Sequence, residues 1–303
     1  MGRVHSFLIA PDGARQSLME IVRTVVELRE WSRKKRNRGG ESAGAVIGLV
    51  PTMGALHAGH ASLIRAARAS CAFTALSLFV NPTQFGPQED YARYPRAFAA
   101  DCALAEAEGV DALFAPSVEE MYPEGAATFV DVGDLGNRLD GESRPGHFRG
   151  VATVVAKLLL AAEPDRAFFG QKDAAQVAVI RRVATDLRLD TEIVACPTVR
   201  DMDGLALSSR NAYLSAEERA QALALSRAIR RVEELAASGG RRASALIAAA
   251  REVFAAEPAV RVDYLAVVDR ATLLPVEITE PGTLFAVAAW VGSTRLIDNA
   301  ILR

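Results

Sequence analysis

Three cysteines in 303 residues, Cys71, Cys102 and Cys196, are too few and too scattered for a disulfide framework. Their free form suits a reducing compartment. Long apolar runs are also missing. The longest, residues 151–162, contains Lys157 and is shorter than the roughly 20 residues that span a bilayer. The first ten residues have no apolar core of signal-peptide length. An excess of charge of either sign is lacking, and a net charge of -2 argues against the basic face that broad nucleic-acid binding needs. These absences predict a soluble, cytoplasmic protein with neither membrane nor nucleic-acid partners. Half of the residues are hydrophobic, enough for a substantial core in one large or two modest domains.

Histidine is rare, with four in the chain, yet two of them fall within one turn of each other. Pro51-Thr-Met-Gly-Ala-Leu-His-Ala-Gly-His60 follows an apolar run at 45–50 and precedes an Ala-rich amphipathic stretch at 61–70. That order reads as strand, glycine turn and helix. His57 and His60, three apart, project from one face of the helix start. The unpaired N–H groups and dipole there make a phosphate site, and Gly54 and Gly59 allow close backbone approach. No Gly-Lys-Ser/Thr follows, so this is not a P-loop, and G-x-G-x-x-G is absent too. A zinc site is disfavoured because the Glu of H-E-x-x-H is missing. The plain alternative is a helix cap with two surface histidines. His-x-Gly-His after a first strand resembles the superfamily of nucleotidylyltransferases and class I aminoacyl-tRNA synthetases, which attack the α-phosphate of ATP.

Residues 1–15 read as a loose extension. A helix is predicted over 17–33 from Leu18, Ile21, Val22, Val25 and Leu28, then a basic loop at 33–42, read as a solvated linker or an anion patch. Further strands are expected at 74–80, 110–114, 129–132, 166–169 and 191–196, with helices at 96–108, about 150–162 and from 171–173 onward. Strands alternating with helices imply a Rossmann-like parallel sheet over residues 1–199. Polar loops recur at the predicted carboxyl ends of strands, where such sheets bind ligands. After residue 200 the pattern changes. Ser215-Ala-Glu-Glu218 is a capping box, helices are expected at 215–238 and 242–256, and β-rich runs occupy 261–269, 283–291 and 294–302. Residues 200–303 therefore read as a smaller α+β domain.

Five stretches in order identify a family. The histidine motif, Phe79-Val-Asn-Pro-Thr-Gln-Phe-Gly86, Arg144-Pro-Gly-His-Phe-Arg-Gly-Val151, Phe169-Gly-Gln-Lys-Asp173 and Asp203-Gly-Leu-Ala-Leu-Ser-Ser-Arg-Asn211 closely resemble pantothenate synthetases. The resemblance implies ATP-dependent condensation of (R)-pantoate with β-alanine through a pantoyl adenylate, with magnesium, in a homodimer. It implies ATP binding by Met53, Gly54, Ala55, Leu56, His57, Ala58, Gly59 and His60. It extends the ATP site to Gly170, Gln171, Lys172, Asp173, Val199, Leu207, Ser208, Ser209 and Arg210. His57, His60, Lys172 and Arg210 would be catalytic, with His60 the proton donor. Gln84 and Gln176 would hold pantoate, and Gln84 would lie near β-alanine. Arg144 and His147 would touch phosphate or pantoate, or support the site and a dimer contact. The 200–303 half would act as a lid.

Gln171 departs from the glutamate often found beside this Lys-Asp pair, and the N-terminus is longer than the family pattern. Two rivals remain on sequence grounds: another adenylyl-transferring enzyme of the superfamily, and a nucleotide-binding regulator without turnover. The two glutamines and the Ser-Ser-Arg-Asn loop speak against the first, and the polar loops at several strand ends against the second.

Overall fold

The computed structural model describes residues 18–37, 45–87 and 89–303. The extension at 1–15, and the basic stretch beyond residue 37, lie outside them. The helix predicted from residue 17 begins later. Glu20–Val22 forms a short edge strand, β1, and Val25–Arg36 forms helix α1. Thr24 makes the change: its hydroxyl accepts from Glu27 N at 3.1 Å, and the Glu27 carboxylate accepts from Thr24 N at 3.0 Å. Arg33 to Arg36 then form the last turn, where cations complement the helix dipole. Lys35 is buried against the Trp31 and Phe73 rings, its ammonium 3.0 Å from Glu20 on β1.

The chain continues through β2 (Ile47–Thr52), α2 (Ala58–Ser70), β3 (Phe73–Leu78), α3 (Phe98–Ala107), β4 (Ala112–Phe114) and α4 (Val118–Met121). After α5 (Asp140–Ser143) and α6 (His147–Ala162) come β5 (Arg166–Gly170), α7 (Ala174–Asp186) and β6 (Glu192–Cys196). The strand expected at 129–132 does not form. Phe129 is exposed, and the backbone of Val130 bonds to a side chain instead, donating to Thr153 Oγ1 at 2.9 Å. A β-branched run without a neighbouring strand edge has nothing to pair with.

All six strands run parallel in the order β1-β4-β3-β2-β5-β6. From β2 the chain winds one way through β3 and β4, and later the other way through β5 and β6. The crevice beyond the carboxyl ends of β2 and β5 is therefore the topological switch point of the sheet.

The second half holds α8 (Ala216–Ala237), α9 (Ala243–Ala255) and an antiparallel sheet of β7 (Val260–Val268), β8 (Leu284–Val291) and β9 (Thr294–Ile301). Ser215 and Glu218 form the expected capping box at the start of α8. Apolar faces of α8, α9 and the sheet share one core around Leu225, Leu246, Phe285 and Val287. Polar ties join the halves as well. Arg295 on β9 donates across to Asp140 on α5 at 2.7 Å, and within its own half to Asp263 on β7 at 2.8 Å.

Candidate active site

The turn after β2 is shaped by backbone geometry that its residues tolerate. Gly54 has φ +90° and Ala55 φ +50°. Asp101, buried on α3, accepts from the N–H of Ala55 at 3.0 Å and of Leu56 at 2.7 Å. Leu56 itself packs into the apolar cluster on that face of the sheet. The chain then enters α2 with His57 as N-cap, its Nδ1 accepting from Gly59 N at 3.1 Å, while His60 Nδ1 accepts from His57 N at 3.2 Å. A side chain at Gly59 would bring its Cβ to 2.8 Å from the His57 ring.

These two bonds assign the tautomers. A backbone N–H can only donate, so each Nδ1 is an acceptor and each neutral ring carries its proton on Nε2. Burial first, then the neighbouring His57 and Lys172, lower the His60 pKa to about 3. Burial and Lys172 lower His57 as well. The rings lie 4.1 Å apart, centroid to centroid. At neutral pH the turn thus presents two uncharged N–H donors.

Both rings face a cleft of about 220 Å³ at the switch point. Met53, His57, Gly59, His60, Gln84, Gly170, Lys172, Asp173, Gln176, Val199 and Leu207 to Arg210 all line it. Gly54, Ala55, Leu56, Ala58 and Gln171 do not; they build the turns behind the lining. Among the described residues Lys172 makes no ion pair and Gln176 no side-chain hydrogen bond. Arg210 reaches Asp90 at 3.1 Å, and Ser208 caps its loop by accepting from Arg210 N at 3.3 Å. Val199 and Leu207 pair across the turn that presents this loop, Leu207 N donating to Val199 O at 2.9 Å.

Gln84 is buried and pre-oriented. Asn81 Nδ2 donates to its Oε1 at 3.0 Å, and Gln84 Nε2 lies 3.0 Å from Met53 Sδ, a weak acceptor. Its amide nitrogen therefore sits beside Met53 on the cleft wall, with no other partner among the described residues. The opposite wall is apolar, with Val151, Val154, Val155 and Leu158 of α6 facing Phe79 and Phe169.

Arg144 and His147 are absent from the lining and serve as support. Arg144 grips Glu89 through two bonds of 2.7 Å and lies 2.9 Å from His147 Nε2. Guanidinium only donates, so Nε2 accepts and Nδ1–H donates to Gln84 O at 2.8 Å. Burial, then Arg144, lowers the His147 pKa to about 3, which keeps it neutral. This chain of bonds fixes the backbone of Gln84.

Sequence reasoning missed Asp101, Asn81, Tyr94 and the α6 wall. Asn81 stood inside a quoted motif, whereas Asp101 acts across 46 positions and leaves no local pattern. Tyr94 lines the cleft, its hydroxyl 3.4 Å from Ser209 Oγ.

A doubly wound sheet whose first βα turn offers two neutral histidine donors, opposite a lysine and an arginine, defines a phosphate-handling α/β protein. Comparison narrows the class. The model of the family Pantoate-beta-alanine ligase matches residues 20–301, and the chain belongs to that family. It is 60% identical over 290 residues to the pantothenate synthetase of Acidobacterium capsulatum, covering 94% of this chain and 97% of that one. The Thermus thermophilus pantothenate synthetase superposes with a TM-score of 0.86 at 50% identity, covering 93% and 99%. The Francisella tularensis pantoate-beta-alanine ligase, complexed with Beta-gamma ATP and Beta-alanine, gives 0.75 at 32% identity, covering 94% and 98%. No described helix is long and apolar enough to cross a membrane.

Proposed function

We propose that this chain condenses (R)-pantoate with β-alanine at the expense of ATP, releasing AMP and pyrophosphate and yielding pantothenate, the coenzyme A precursor. The observation that carries this reading is one cleft holding phosphate donors from both halves beside a buried amide and an apolar wall. Pantoate bears two hydroxyls, a carboxylate and geminal methyls. Gln84 and Gln176 suit the polar groups and the α6 valines suit the methyls. The Francisella ligase, which binds Beta-gamma ATP together with β-alanine, supports the same substrates.

In the first step a pantoate carboxylate oxygen attacks the α-phosphorus, and the bond to the bridging oxygen of the leaving pyrophosphate breaks. Two anions must approach, so charge and donors around the phosphates set the rate. ATP would lie along residues 53–60, 170–173, 199 and 207–210. His57 and His60 would donate Nε2–H to phosphate oxygens, with Lys172 and Arg210 supplying positive charge. Bound phosphates would raise the His60 pKa; the ring would then take up a second proton from solvent at Nδ1, giving up its bond from His57 N–H, and pass its Nε2 proton to the leaving pyrophosphate. In the second step the neutral amine of β-alanine, held near Gln84, attacks the acyl carbon; the carbon–oxygen bond to the phosphate breaks, AMP leaves, and the amine's proton passes to AMP or water.

The resemblance also implies magnesium. Among the described residues no group of three or more His, Cys, Asp or Glu could cage a metal. Asp173, a carboxylate on the cleft wall, would hold magnesium together with the phosphates of ATP. The ion would neutralise phosphate charge.

We place the lid boundary near residue 200. The ties of Arg295 and of Asn299 hold β9 to the first half, and Asp298 on β9 holds Arg200, so closure would fall to residues 208–212, which carry Arg210. A homodimer in the cytoplasm follows from the family resemblance, and light scattering tests the dimer. The site is tested by single-turnover mixing of His60→Ala with ATP and pantoate. Adenylate formation should slow by about 10²–10³, the usual cost of one transition-state donor. An unchanged rate would remove His60 from the mechanism.

A further inference from the structure

Strand β9 carries two adjacent polar residues, Asp298 and Asn299, whose side-chain partners are not on its own sheet. Asp298 and Asn299 are both buried, and in an extended strand they point to opposite faces. Asn299 Nδ2 donates to Gln171 O at 2.9 Å and to Lys172 O at 2.8 Å. One amide nitrogen thus spends both of its hydrogens on two successive carbonyls. Both partners only accept, so the amide orientation is set, and Asn299 Oδ1 is left to accept from Gln171 Nε2 at 3.1 Å. This use of the side-chain N–H explains how an amide at position 171 fits, where the resemblance leads one to expect glutamate. Three bonds therefore hold the turn that carries Lys172, and all come from a strand 127 positions away.

Asp298 makes the matching contact on the other side. Its two oxygens accept from Arg200 at 2.6 and 2.9 Å, a bidentate pair with the carboxylate almost wholly buried. Arg200 also donates to Gly204 O at 3.2 Å and bridges Ala206 across the turn. That turn leads directly into Leu207, Ser208, Ser209 and Arg210. Adjacent residues of one strand thereby grip both cationic arms of the cleft.

We propose that Asn299 and Asp298 are positioning residues for phosphate chemistry. Asn299 sets the turn of Lys172, and Asp298, through Arg200, sets the loop of Arg210, so that the two charges converge on one phosphate chain. The proposal rests on the adenylating role given to Lys172 and Arg210 above. Neither residue touches substrate; each acts through another side chain. A misplacement of about 1 Å far from the reacting atoms can cost on the order of 10²-fold in rate.

The test is a pair of double-mutant cycles, read as single-turnover AMP formation from ATP and pantoate, with melting temperatures recorded alongside. Asn299→Ala should slow adenylation about 10- to 100-fold in the natural background. In the Lys172→Ala background it should have an effect of less than about threefold, because the group it positions is gone. Asp298→Asn should behave likewise with and without Arg210→Ala. Equal losses in both backgrounds would mean general support of the fold and would overturn the proposal, as would no loss in the natural background. Where Asn299→Ala does not fold, Asn299→Asp keeps the shape without the donors and reads the same cycle. If Lys172→Ala and Arg210→Ala themselves keep the natural rate, the site reading fails and the positioning roles fall with it. If those two variants are slow and the β9 variants are not, the positioning proposal alone fails.

Discussion

Asp101 holds Leu56 by its backbone: the carboxylate accepts the Leu56 N–H at 2.7 Å and, through its other oxygen, that of Ala55 at 3.0 Å. Those amides belong to the turn that must adopt positive φ at Gly54 and Ala55 before His57 can cap α2. A Cβ at Gly54 would sit 3.0 Å from the same carboxylate, so glycine and aspartate fit each other. The phosphate donors are aimed by a helix outside the motif that contains them.

Asp101→Ala leaves two part-buried amides without acceptors. The expected cost is about 1–3 kcal/mol of stability per unsatisfied group. Adenylation should also slow, with little change in pantoate affinity. Denaturant unfolding and single-turnover kinetics check both; a variant as stable and as fast as the natural chain would contradict the relationship.

The neutral histidines predict a pH dependence. The pKa values of His60 and His147 lie at about 3 in the folded protein, below the ordinary 6.5 of an unfolded chain. Between those values the unfolded state binds more protons. Stability is therefore full above about pH 6.5 and falls as pH drops toward 3, by at most about 1.4 kcal/mol per pH unit for each ring. His147→Gln keeps an acceptor and a donor but cannot titrate. Its melting temperature should fall less steeply from pH 7 to 4 than that of the natural protein, and parallel curves would refute the assignment.

Much of this was legible beforehand. The histidine turn is a local pattern of strand, glycine and helix start, and three β-rich runs stand out after residue 260. The α8 capping box is likewise written within four residues. What escaped depends on distant partners. β1 is three residues long and continues the helical spacing of α1, so only its pairing with β4 reveals it. Residues 129–132 carry strand composition yet find no strand to pair with. Asp101, Asp298 and Asn299 act through bonds to residues far along the chain, and Arg144 and His147 turned out to hold Gln84 rather than line the cleft.

Gln176 has no side-chain partner among the described residues and faces the same cleft as Gln84. Gln176→Ala should weaken pantoate binding by about 1–3 kcal/mol while leaving ATP binding nearly intact. Calorimetry that shows equal losses for both ligands would reassign the residue to support of the fold.

The loop of Arg210 should close on nucleotide, since an acyl adenylate has to be shielded from water. Amides at 208–212, beyond the anchored turn of Arg200, should exchange hydrogen quickly without ligand and slowly with ATP, and Arg210→Ala should reduce that protection. Exchange indifferent to nucleotide would leave the closing loop without support.

The most direct test of the account follows AMP and pyrophosphate in one experiment with ATP and (R)-pantoate, with and without β-alanine. Without the amine, a single equivalent of pyrophosphate per site should appear, with the adenylate retained. With it, AMP and pantothenate should form in steady turnover. Release of ADP and phosphate instead would replace the adenylate with an acyl phosphate and contradict the mechanism built on His57, His60, Lys172 and Arg210.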